Sequence, residues 1–165
     1  MRRAIFQLVI AVLALYIFDP RALARQRAEE RADCDAYSGK QVPAFRVGKE
    51  FRTDKGGFLV LSISVRPSDV DREKLIALAC KIGRDHAEED GVIVWILDSY
   101  KAAKRYSPLA GENERQTNLA YVGSCGFSRD PRARPEQSLD WWPDTNDRTR
   151  SVHIDLGPPP PRPAK

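Results

Sequence analysis

Residues 58–97 decide the fold: FLVLSISV at 58–65, then RPSDVDREKLIALACKIGRD at 66–85, then GVIVWIL at 91–97. In the first run Leu59, Leu61, Ile63 and Val65 fall on one side of a period-two repeat, with Phe58, Val60, Ser62 and Ser64 on the other, which predicts a strand. Pro67 ends it. Ser68 or Asp69 then caps a helix, with Asp71 completing a capping-box variant. Leu75, Leu78, Ala79 and Ile82 recur at helical spacing, so the helix lays one apolar stripe on the sheet. Gly91 closes the helical region, and Val92 to Leu97 is a near-continuous apolar run, as a central strand buried on both faces requires. Strand, helix, strand in this order predicts a crossover with the two strands parallel.

Working outward, Phe45, Val47, Lys49 and Phe51 alternate with Arg46, Gly48 and Glu50, and Lys55-Gly56-Gly57 turns this candidate strand back into the next. Downstream, Ser99 to Tyr106 reads as a short helix, followed by Pro108 and a polar loop at Gly111 to Gln116. Asn118 to Phe127 alternates again, with Leu119, Tyr121, Gly123 and Cys125 set against Ala120, Val122 and Ser124, and is expected to join the sheet antiparallel. Ser128 to Pro135 is rich in arginine and proline and loops, and Ser151 to Leu156 is a late edge strand. The fold class expected is α+β, a small two-layer α/β sandwich with a mixed sheet of four or five strands under one main helix. Residues 42–156 form that single domain. Residues 25–41 are a charged, flexible lead, and residues 157–165, with Pro158 to Pro161, are a disordered proline-rich tail.

Residues 1–24 have a different character. Arg2 and Arg3 are followed by an apolar stretch from Ala4 to Phe18 and then by Ala22-Leu23-Ala24, the order of a removable secretory signal. The apolar stretch is shorter than the roughly 20 residues of a spanning helix. Uncleaved, residues 4–18 are instead an anchor for a membrane-tethered protein. Either way the chain is expected outside the cytoplasm, periplasmic or secreted.

Of 27 basic and 23 acidic residues, Arg2, Arg3, Arg21 and Asp19 leave with residues 1–24, so 24 basic and 22 acidic remain and the net charge falls to +2. The charges are interleaved along the chain, which argues against a nucleic-acid binder. Cys34, Cys80 and Cys125 have no C-x-x-C spacing and His86 and His153 stand apart, so no metal site, cofactor or catalytic set is expected. In an oxidising compartment three cysteines give one disulfide and a leftover thiol, or three buried thiols.

Four features carry chemistry or shape. Cys125 lies among small residues in Gly123-Ser124-Cys125-Gly126, and His153 is its possible base, the basis of a cysteine-dependent or hydrolytic enzyme. His86 falls on the helical stripe four residues after Ile82 and is expected to pack at the helix end. Asp98 ends a central strand and is expected to cap the short helix after it. Trp141-Trp142-Pro143 either anchors the C-terminal segment or offers indoles to a protein or glycan partner. The leading expectation is an exported, non-catalytic binding module of the envelope or secreted fraction, with the enzyme and the membrane-tethered structural protein as its alternatives.

Overall fold

The structure, a computed structural model, describes residues 28–53, 57–106, 120–130, 136–144 and 150–163. The expected signal segment or anchor, the Lys55-Gly56 turn and the Gly111 to Gln116 loop lie outside the described residues. The strands are β1 (Ala28–Arg31), β2 (Phe45–Arg52), β3 (Leu59–Val65), β4 (Gly91–Leu97), β5 (Tyr121–Ser128), β6 (Gln137–Trp141) and β7 (Val152–Asp155), and the helices are α1 (Arg72–Asp85) and α2 (Tyr100–Arg105). All the strands join one mixed sheet in the order β1-β7-β6-β5-β4-β3-β2. The β3–α1–β4 unit is parallel, β2 pairs antiparallel with β3, and β5 pairs antiparallel with β4.

The mixed α+β class therefore stands, but the sheet has seven strands and not four or five. Two of the additions have separate causes. β6 buries Gln137, Leu139 and Trp141 on one side, a period-two pattern too short to separate from the loops flanking it. β1 is the charged run AEER, which pairs parallel with β7 at the sheet edge through its backbone, so side-chain patterning gives no sign of it. With β1 outside it, β7 is an interior strand and not the late edge expected. The lead is likewise tied down, because a 3₁₀ turn at Cys34–Tyr37 carries Cys34 to a disulfide with Cys80 of α1.

One face of the sheet is the main core. Leu59, Leu61, Ile63, Val92, Val94, Ile96, Leu139 and Ile154 meet Leu75, Leu78, Ala79 and Ile82 of α1, all of them buried. The N-cap of α1 is Asp71, whose carboxylate accepts from the Lys74 N–H at 2.9 Å, while Pro67–Asp69 form a separate 3₁₀ turn. The cap thus falls two or three residues later than expected because Pro67 starts a tight turn before the helix proper. On the opposite face α2 covers the β2–β4 half over a smaller cluster of Val60, Trp95, Leu97, Ala103, Tyr106 and Tyr121. Helices therefore lie on both faces, and the arrangement has more than two layers.

A bulge between Ile96 and Leu97 pairs Gly123 with Ile96 and Tyr121 with Leu97. It breaks the alternation expected across 118–127. Tyr121 joins the aromatic cluster under α2, while Val122, Cys125 and Phe127 face α1. Residues 157–163 of the tail are held against the body: the Arg129 guanidinium donates to the carbonyls of Ala87, Glu89 and Pro160, and Arg162 pairs with Asp90. A tail that cannot join a ladder is here fixed by its carbonyl and its arginine. Among the described residues no helix is long and apolar enough to cross a membrane.

Candidate functional site

Side chains on successive strand residues point to opposite faces, and this separates the two groups expected to form a thiol site. Cys125 pairs in register with Val94 and Leu139, both under α1, and is itself buried there. Burial pushes its thiol up to about 12, the direction opposite to an activated nucleophile. His153 pairs with Asp140, which pairs with Ser124, in a row on the other face. The sheet thus stands between Cys125 and His153.

The same row creates a pair that neither residue signals alone. His153 Nδ1 lies 2.9 Å from Asp140 Oδ1, with both side chains only partly exposed, at 18 and 26%. Asp140 is the residue sequence reasoning missed. Its signal was the alternation of Ser138 and Asp140 against Gln137, Leu139 and Trp141, hidden by the brevity of β6. A carboxylate on Nδ1 fixes the orientation of an imidazole, and in hydrolases it does so for a ring whose other nitrogen faces a nucleophile. Here Ser124 neighbours the carboxylate and not the imidazole. Two strand spacings, roughly 10 Å, separate Ser124 from His153, so the order of the row opposes a Ser–His relay.

One row further along, Gly126, Ser138, Asp155 and Arg31 are in register, with Arg31 Nε 4.0 Å from Asp155 Oδ2. From Ser124 onward this face of β5–β7 carries polar side chains beside Gly126, and among the described residues neither helix packs over it. Trp142 follows Asp140 by two residues and stands at the end of the same face, its ring 5.1 Å from that of Tyr121. Trp141 points the other way into the core at 8% exposure. The two indoles are thus not one platform: Trp141 anchors β6, and Trp142 alone of the two is partly exposed.

The remaining candidates take structural places. His86 is the C-cap of α1, its backbone N–H reaching the Ile82 carbonyl. Ser99, not Asp98, caps α2: its hydroxyl accepts from the Ala102 N–H at 3.4 Å, and the Asp98 N–H is held by the Ala120 carbonyl. A serine one position later offers the shorter reach into the first turn. Among the described residues no group of three or more His, Cys, Asp or Glu side chains is placed to hold a metal ion. No family model, curated protein or solved structure matches the chain.

Proposed function

We propose that this chain is an exported, disulfide-tied binding module without a catalytic role, and that it recognises a protein or glycan of the envelope or secreted fraction through the polar face of β5–β7. The observation that carries the reading is the row Ser124, Asp140, His153 across three adjacent strands, with the imidazole held by a carboxylate and an indole next to it on the same face. A fixed donor–acceptor set beside a partly exposed aromatic ring gives a ligand both orientation and contact area. The Cys34–Cys80 disulfide supports export, because such bonds persist in oxidising compartments. The basic, apolar, small-residue order of residues 1–24 supports it independently.

The test places a photoreactive residue at position 138, on the polar face, or at position 81, on the outer side of α1, in the full chain expressed in its natural host. Adducts are expected from position 138 and not from 81, and are lost when Asp140→Ala or Trp142→Ala is added. Equal adducts from both positions, or adducts indifferent to those substitutions, contradict the reading.

A further inference from the structure

A second surface separates itself by how its charges are paired. On and around α1 most of the described cations have carboxylate partners: Arg72 with Glu30 and Glu73, Lys74 with Asp69, Lys81 with Asp85, and Arg52 with Glu89 across from the β2 edge, while Arg84 of α1 has none among the described residues. The opposite side of β2, together with α2, carries Arg46, Lys49, Lys101, Lys104 and Arg105. None of these five makes an ion pair with a described carboxylate, and α2 contains no acidic residue. The fold draws them together although they are spread through the sequence. Lys49 Nζ lies 3.4 Å from the Arg105 carbonyl, and Arg46 and Lys104 lie 5.9 and 5.7 Å from the centre of the Tyr100 ring. Tyr100 is 42% exposed and, with Val47 on the other face of β2, is one of two large apolar side chains left so open among the described residues. The patch is rigid, because Gly48 lets the backbone of α2 at Ala103 lie directly on β2 and Ser62 Oγ donates to the Ala103 carbonyl at 2.9 Å.

We propose that this α2–β2 surface docks on an anionic phospholipid bilayer. Uncompensated cations concentrated on one side seek a negative surface. An exposed ring framed by lysine and arginine suits the boundary between headgroups and acyl chains: the phenol side chain lies at headgroup depth and the flexible cations reach phosphates around it. A bilayer meets both features at once, its phosphates taking the cations and its headgroup boundary taking the phenol. The surface is distinct from the β5–β7 face, so docking leaves that face open to a partner.

The experiment uses the full chain in lipid nanodiscs of phosphatidylcholine alone or mixed with phosphatidylglycerol, read by hydrogen exchange. Arg2 and Arg3 beside residues 4–18 also favour the anionic disc, so the folded domain is read only from protection at α2 and β2 that responds to substitutions there. Slower exchange of α2 and β2 amides is expected only with the anionic lipid, and raised salt abolishes it. Each cation removed lowers the affinity for the surface about fivefold, so Arg46→Glu with Lys104→Glu removes the protection. Tyr100→Ser weakens it with all five charges present. Lys101→Glu, at an exposed position outside the packed side of α2, retains the fold and weakens the protection, whereas Lys81→Glu on α1 leaves it unchanged. Equal protection in the two discs overturns the proposal, and so does protection that survives charge reversal. An acidic peptide that protects the same amides in wild type and in Tyr100→Ser alike overturns it in favour of a protein partner.

Discussion

Cys125 and Ser124 are consecutive, yet the pleat sends the thiol under α1 and the hydroxyl into the row with Asp140 and His153. Their chemistries follow from that one alternation. A thiol with its folded value raised by burial stays protonated where the unfolded chain has already lost the proton, so above its ordinary range the unfolded state binds fewer protons and stability falls as pH rises. The window runs from about pH 9 to about pH 12, with a slope approaching 1.4 kcal/mol per pH unit from this group. Denaturant titrations across that window are expected to show a steeper loss in the wild type than in Cys125→Ala; identical slopes contradict a buried, protonated thiol. Gly48 is constrained as tightly, by α2 lying against its backbone. A Cβ there would lie 2.5 Å from the Ala103 backbone carbon, a contact that only movement of α2 relieves. Gly48→Ala is expected to cost about 1–3 kcal/mol by denaturant unfolding and to raise the exposure of the aromatic cluster seen by tryptophan fluorescence.

At the level of elements, legibility tracked how much each segment's own side chains had to say. The strands β3 and β4 and the helix α1 were readable because apolar residues fill one face of β3, both faces of β4 and one stripe of the helix. β2 and β5 were readable from alternation, although the bulge at Ile96/Leu97 moved Tyr121 to the other face, a shift set by the partner strand. β1 was not readable, since a run of Ala, Glu, Glu and Arg carries no period-two apolar pattern and joins β7 through its backbone ladder. The candidate site was legible only as single residues: His153 was visible, but its partner Asp140 depends on the unread strand β6. The disulfide has the same character, because three pairings were open and the 3₁₀ turn at Cys34–Tyr37 selects one. Cross-linking residues 46 apart restricts the unfolded chain, and its removal in Cys34→Ser with Cys80→Ser is expected to cost about 4 kcal/mol in the loop-closure account. Equilibrium unfolding in urea measures this; an unchanged midpoint contradicts the stabilising role.

Across the whole molecule the sheet acts as a partition. One side holds α1, the disulfide, the buried thiol and cations mostly matched with carboxylates; the other holds the polar row of β5–β7 and, beyond the aromatic cluster, the cations around Tyr100. The proline-rich tail straps the first side. Pro158 to Pro161 and Pro163 line a groove of about 530 Å³ together with Cys34, Cys80, Arg84 and Leu156, so the strap runs beside the disulfide. A chain ending at Leu156 is therefore expected to lose the Cys34–Cys80 bond to a soluble reductant several-fold faster than the full chain, as followed by mass spectrometry; equal rates contradict the strap. The central claim, an exported binding domain with an inert thiol, is tested most directly by mass analysis after thiol alkylation of the protein recovered from its natural host. No label is expected on the folded protein, one label, on Cys125, after denaturation alone, and labels on all three cysteines only after reduction. Labelling of Cys125 in the folded protein, or of three thiols without reduction, contradicts it.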